Sequence, residues 1–332
     1  MASIKFIISK IGSVNYGAFI KTAKKIGKQE GKPWPVVFLD ILNCTRKYGA
    51  GHVDYDTFEM YKLDEKDRAK ILTVSKNNEL VRALNDPQDR LIFEDKAVFN
   101  GKFEPYIKRD WMVIDGKNYP EFEKLCKEND SLILKPLDES CGRGLEKIYP
   151  AKEKDLKNLY DRLYNQKILL VEETVTQCDE MNKLCKTSIN TIRLVTILSK
   201  KGNANVVAGA IRMGREGSCV DNFNHGGLAV VLDVTKGESI TNGYDKMRDQ
   251  YETTESGTKL KGFKVPMWEE CKQIVCDAAK VVPTVRYVAW DVCVSQDKGP
   301  LLIEGNSYPG QDVTQYPRLG LGTYEYFKKY MD

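Results

Sequence analysis

One segment restricts the fold more than any other. In Val288-Ala289-Trp290-Asp291-Val292-Cys293-Val294 a carboxylate stands inside an otherwise apolar run, where an ionised side chain is costly unless a cation or hydrogen-bond donors meet it. The turn Gln296-Asp297-Lys298-Gly299 comes next, and the chain returns through Leu301-Leu302-Ile303-Glu304-Gly305-Asn306, which reads as a β-hairpin. Glu304 and Asn306 are two positions apart and project to one face, where Asp291 on the neighbouring strand can join them. Three oxygen donors without nitrogen or sulfur suit Mg²⁺, which takes a few carboxylates together with waters and phosphate oxygens. The competing reading is a surface hairpin with its polar face in water.

The hairpin ends a long β-rich region. From residue 131 onward short apolar runs alternate with turns: 132–136, 168–171, 191–198, 205–212, 228–233, then the hairpin itself. Two helical stripes interrupt them, one over about 152–165 with Leu156, Leu159, Tyr160 and Leu163, the other over about 268–281 with Cys271, Ile274, Val275, Ala278 and Val281. The first 90 or so residues are instead tyrosine-rich and helical in pattern. This order predicts an α+β protein with a largely antiparallel sheet.

Composition excludes several functions. The 332 residues are 42% hydrophobic, enough to fill a sizeable core, and 51 Lys+Arg against 47 Asp+Glu leave a formal charge of +4 with no basic, aromatic-interleaved stretch. A nucleic-acid partner is not expected. Nine cysteines without a C-x-x-C pair, and two histidines, argue against zinc and for free thiols in a reducing compartment. The start, with one short apolar cluster broken by lysine, is too brief for a signal peptide or a membrane span, so a cytoplasmic protein is expected.

Three further segments carry candidate chemistry. Lys135-Pro136-Leu137-Asp138-Glu139-Ser140-Cys141-Gly142-Arg143-Gly144 ends a strand in lysine and continues into a loop whose glycines allow backbone N–H groups to approach phosphate oxygens. It matches neither standard nucleotide fingerprint, and an ordinary surface turn is the alternative. Leu170-Val171-Glu172-Glu173-Thr174-Val175 can offer a backbone edge and apolar side chains to a purine base, or be a strand ending in solvated acids. Arg212, with Arg193 on the preceding strand and Gly226-Gly227 beyond, forms an anion site able to hold a carboxylate or phosphoryl group. His225, beside that turn, reads as structural.

Taken in order, Lys96, Lys135, Ser140 to Gly144, Glu173-Thr174-Val175, Arg212 with Asn222-x-x-x-Gly226-Gly227, Asp291 and Glu304-x-Asn306 resemble the motif series of the ATP-grasp superfamily. Tyr48-Gly49-Ala50-Gly51-His52-Val53-Asp54-Tyr55, Asn190-Thr191-Ile192-Arg193 and Ile303-Glu304-Gly305-Asn306-Ser307-Tyr308-Pro309-Gly310 are similar to its sugar-transfer-associated members. The resemblance implies two α+β sub-lobes with antiparallel sheets gripping ATP, about 110–178 covering the nucleotide and about 179–332 carrying metal and catalytic groups. Together these make a domain over 93–332, preceded by a helical segment, 1–92, that can serve the acceptor. It further implies Lys96 and Lys135 on the α and β phosphates, Ser140, Gly142 and Gly144 over the β and γ phosphates, and Glu173, Thr174 and Val175 at adenine. Asp291, Glu304 and Asn306 would bind two Mg²⁺ ions, and Arg212, Arg193 and Asn222 would be catalytic. The implied activity is a carboxylate–amine ligase working through an acyl phosphate on small-molecule substrates, with a sugar acid or polysaccharide precursor and an amino acid or amine as the expected pair. An ATP-grasp kinase and a non-catalytic ATP-binding partner of glycosyltransferases are the alternatives.

Overall fold

Two helices with matched apolar stripes begin the described chain. In α1 (Tyr16–Glu30) Phe19, Ala23 and Ile26 are buried, and in α2 (Trp34–Tyr48) Val37, Ile41 and Cys44 are, each set at helical spacing. Their close approach needs a glycine: a Cβ on Gly27 would lie 2.7 Å from the Lys32 carbonyl oxygen and 3.3 Å from the Trp34 Cα. Gly49, at φ +66°, ends α2 by donating its N–H to the Cys44 and Thr45 carbonyls. The computed structural model describes residues 16–137, 144–215, 217, 223, 226–316, 320 and 322–328. It divides into two compact units, one comprising the chain through Glu79 with Gln315–Tyr324, the other Leu80–Thr314 with the chain from Glu325.

The first unit is helical, as its sequence pattern predicts. Around its core of Phe19, Ile26, Ile41, Tyr55, Phe58, Met60 and Ile71 lies one polar knot. Arg68 donates two 2.8 Å hydrogen bonds to the Asp40 carboxylate, Tyr55 donates a third at 2.6 Å, and Arg68 Nε donates to the Met60 carbonyl. Burial raises the Asp40 pKa, but the Arg68 and Tyr55 bonds outweigh it and hold the carboxyl below its ordinary value.

The second unit holds two antiparallel sheets. Strands β1 (Trp111–Val113), β2 (Leu132–Lys135), β3 (Glu146–Ile148) and β4 (Leu170–Glu173) pair in the order β1-β4-β2-β3. The helices Tyr119–Glu128 and Leu156–Asn165 cover this sheet with Phe122, Leu125, Leu159, Tyr160 and Leu163. The latter starts at 156 rather than 152 because the Asp155 side chain accepts from the Asn158 N–H and caps it.

The larger sheet has eight strands: β5 (Thr191–Leu198), β6 (Ala204–Met213), β7 (Leu228–Asp233), β8 (Glu238–Ser239), β9 (Gly243–Tyr244), β10 (Gln250–Tyr251), β11 (Tyr287–Ser295) and β12 (Gly299–Asn306). Their order is β10-β9-β7-β6-β5-β11-β12, with β8 on β7. The helix Trp268–Ala278 buries Cys271, Ile274, Val275 and Ala278 in the same core as Ile192, Ile211 and Val292. Among the described residues no helix is long and apolar enough to cross a membrane.

Two local features of β11 and β12 position the acidic side chains of the hairpin. The register runs Trp290↔Gly305, Asp291↔Glu304, Val292↔Leu302, so Ile303 is an extra residue, a β-bulge. Behind it Trp290 packs with Phe93 and Phe103 at ring-centroid distances of 5.9 and 5.4 Å. A Cβ on Gly305 would come within 2.8 Å of the Phe99 ring and 3.0 Å of Phe93 and Trp290. Gly305→Ala is therefore expected to destabilise the protein by about 1–3 kcal/mol through overpacking, read as a lowered Tm; an unchanged Tm would show that the aromatic cluster yields freely.

Candidate active site

Strand pairing lines up the charged residues. Arg193 on β5 lies opposite Asp291 on β11, which lies opposite Glu304 on β12, so three charged side chains form a row across three adjacent strands. Arg193 donates to Asp291 through Nε at 2.8 Å and Nη2 at 2.9 Å, and Arg212 on β6 adds a third bond at 2.9 Å. Asn306 sits two residues beyond Glu304, opposite Ala289, and its side-chain oxygen accepts from the Tyr308 N–H at 2.8 Å.

The two carboxyls are electrostatically unlike. Burial opposes ionisation of Asp291, but the two guanidiniums hold its carboxyl well below the usual range. Glu304 keeps an exposed flank, yet the crowding of its carboxyl and the Asp291 charge opposite raise its pKa against the pull of Arg212 and Arg193. The two side chains face each other across the β11–β12 pair, so each feels the other's charge directly. Two facing carboxyls with the amide oxygen of Asn306 on the strand of Glu304 are a donor set that fits a hard divalent cation. Among the described residues no group of three or more His, Cys, Asp or Glu could hold a metal; Asp291, Glu304 and Asn306 offer two carboxyls and one amide oxygen.

The bulge that brings Asp291 opposite Glu304 is held from the other sheet. Arg109, just before β1, donates at 2.6 Å to the Leu302 carbonyl and at 3.2 Å to that of Ile303, and at 2.8 Å to the buried Glu172 carboxylate of β4. Glu172 also accepts from Asn100 at 2.7 Å and pairs with Lys135. Burial would raise the Glu172 pKa, but Arg109 and Lys135 hold it far below the usual carboxylate range. Sequence pattern leaves Arg109 unmarked and shows Glu172 only as one of two acids at a strand end. Strand alternation carried the missing signal, since Glu172 shares a face with Leu170.

The residues expected at a nucleotide gather near this pair. Lys96, first in the helix Lys96–Lys102, donates to the Pro136 and Leu137 carbonyls at 3.0 and 3.3 Å, where the glycine loop departs from Lys135. Gly144, at φ +66°, ends that loop against Pro136, whose Cγ would stand 2.9 Å from an added Cβ. Ser140, Gly142 and Asn222, with Cys141 and His225, lie outside the described residues. β4 is interior to its sheet, so its own edge is occupied: the Glu173 and Thr174 N–H groups bond the Asp110 and Ser131 carbonyls. What opens instead is a cavity of about 260 Å³ lined by Glu173, Thr174, Val175, Thr176 and the turn from Ser295 to Lys298. Lys298 closes one side on Glu173 at 2.5 Å, and the buried Thr174 Oγ1 has no hydrogen-bond partner.

Residues 75–319 match the family described as sugar-transfer associated ATP-grasp. Solved structures to which the chain is similar include the D-alanine-D-alanine ligase of Coxiella burnetii, at 12% identity and a TM-score of 0.43 over 74% of this chain and 58% of that one. The ATP-grasp ligase PsnB with its minimal precursor aligns at 13% and 0.43, over 75% of this chain and 63% of that one. The D-alanine-D-alanine ligase of Bacillus anthracis does so at 13% and 0.44, over 77% and 75%. The chain thus spans less than two thirds of the first two of these. No curated protein matches the sequence.

Removing Arg109 would leave two bulge carbonyls without their donor and the buried Glu172 with Lys135 as its one counter-charge among the described residues, so Arg109→Met is expected to cost about 3–5 kcal/mol, and the added Glu172→Gln to recover part of it. Because the folded pKa of Glu172 is depressed, its stabilising contribution is full above the unfolded value, about 4.3, and is lost as pH falls below it. Urea unfolding of wild type and both variants at neutral and acid pH measures this, and a cost below about 1 kcal/mol for Arg109→Met would show that the pair does not support the bulge.

Proposed function

The chain belongs to the sugar-transfer-associated ATP-grasp family, and from that premise we propose that it is an ATP-dependent ligase joining a carboxylate to an amine. The observation that carries this reading is the row Arg193, Asp291, Glu304, with Arg212 bonded to the same aspartate. Paired carboxyls beside two guanidiniums suit a reaction in which a phosphoryl group is held and moved.

On this reading Lys96 and Lys135 neutralise the α and β phosphates of ATP, Ser140, Gly142 and Gly144 cover the β and γ phosphates, and Glu173, Thr174 and Val175 receive adenine in the cavity they line. The orphaned Thr174 hydroxyl supports a polar ligand there. Asp291, Glu304 and Asn306 hold two Mg²⁺ ions, which supply charge neutralisation at the phosphates. Arg212, with Arg193 and Asn222, stabilises the charge that develops as the γ-phosphoryl passes to the substrate carboxylate. An amine then attacks the acyl phosphate, the amide bond forms and phosphate leaves. No side chain of the protein needs to act as a nucleophile. The domain over 93–332 does this work, and 1–92 serves the acceptor, for which a sugar acid or polysaccharide precursor is our proposal.

A screen of uronic acids paired with amino acids, with ATP and Mg²⁺, tests the reading: ADP and free phosphate should appear together only when both substrates are present. ADP without free phosphate would mean that transfer stops at phosphorylation. Asp291→Asn and Glu304→Gln should each abolish turnover in a folded protein, and normal Mg²⁺-dependent activity in both would remove them from the site. Arg212→Lys keeps the charge but loses the fork, so kcat should fall roughly ten- to a thousand-fold with little change in ATP affinity.

A further inference from the structure

The outward faces of α1 and α2 take no part in the candidate active site, yet they are strongly patterned. On α1, Lys21, Lys24, Lys25 and Lys28 are all exposed and fall within a sector of about 100° on the helix; Lys25 reaches Asp56 at 2.8 Å. Lys32, in the turn after α1, is exposed as well. On α2, opposite the buried stripe of Val37, Ile41 and Cys44, lie Pro35, Val36, Leu39 and the half-buried Leu42, within about 120°. Val36 and Leu39 are 58% and 65% exposed and Trp34 41%. Asp40 is the one charged residue between positions 34 and 45, and its carboxylate is taken by Arg68 and Tyr55. A helix that is apolar on its outward as well as its inward face is unsettled in water and calls for a partner.

The two strips adjoin. α1 and α2 pack against each other, and the Lys24 ammonium lies over the Trp34 ring, 5.6 Å from its centroid. A row of lysines alongside an aliphatic strip edged by a tryptophan has the chemistry of a helix pair lying on a lipid surface: ammonium groups meet acidic headgroups, Val36 and Leu39 enter the acyl boundary, and the indole sits between. We propose that α1 and α2 dock the protein on an anionic membrane surface. A second copy fits less well, since a two-fold contact through this face sets like-charged strips near one another. Nucleic acid has no use for the aliphatic strip.

The test is co-sedimentation of the whole chain with vesicles of phosphatidylcholine and with vesicles containing phosphatidylglycerol. The expected result is a partition at least ~10-fold stronger onto the anionic vesicles, weakened by added salt and accompanied by a blue shift of Trp34 emission that Trp34→Phe removes. Leu39→Asp should lower binding by ~10-fold or more, and Lys21→Gln with Lys24→Gln and Lys28→Gln should bring it to the phosphatidylcholine level, with Tm unchanged because all four side chains point outward. Equal binding to both vesicle types, or Leu39→Asp binding as well as wild type, would overturn the proposal. So would a lipid-free dimer that Leu39→Asp dissolves, which would assign the face to a second copy.

Discussion

A single buried ion pair, Arg109 with Glu172, stands behind the whole charged centre. The β-bulge at Ile303 leaves the Leu302 and Ile303 carbonyls outside a regular ladder, and the Arg109 guanidinium satisfies both. The same guanidinium donates through Nη2 to Glu172, and Glu172 in turn accepts from Asn100 and pairs with Lys135. The paired carboxyls of one sheet and Lys135 of the other therefore share one electrostatic anchor. A charge buried this deeply persists only because each partner removes the other's desolvation cost.

Without the bulge, continuing the ladder from Val292↔Leu302 would set Asp291 opposite Ile303. The extra residue shifts β12 by one position, which in a strand turns a side chain to the other face, and so brings Glu304 and Asn306 to the Asp291 side. Gly305 between them admits Trp290, Phe93 and Phe99 from behind. An apolar cluster without room to shift then keeps the carboxyls in register.

In this arrangement the two carboxyls do different work. Asp291 is fully compensated by Arg193 and Arg212, whereas Glu304, crowded and facing that charge, holds its proton more tightly than a free glutamate. Such a pair takes up positive charge readily, whether as a proton or as a cation. The helical unit solves a similar problem with Asp40, Arg68 and Tyr55, where the carboxylate's partners are an arginine and a tyrosine with no second carboxyl beside it in that set of bonds.

The sequence by itself determined the elements and the chemical types. Alternation and apolar stripes announced the antiparallel strands of four or more residues and the helices Leu156–Asn165 and Trp268–Ala278, but not the helix Tyr119–Glu128, and Asp291 within an apolar run marked the site because burying it alone would be too costly. Local pattern also gathered the lysines, the arginines and Glu304-x-Asn306 into a short roster of candidates. Tertiary structure alone decided how they meet. The bulge, the capture of both arginines by Asp291, the interior placement of β4 and the reach of Arg109 between sheets join residues from 63 to 194 positions apart. Such contacts arise from packing and register, which no window of neighbouring residues contains.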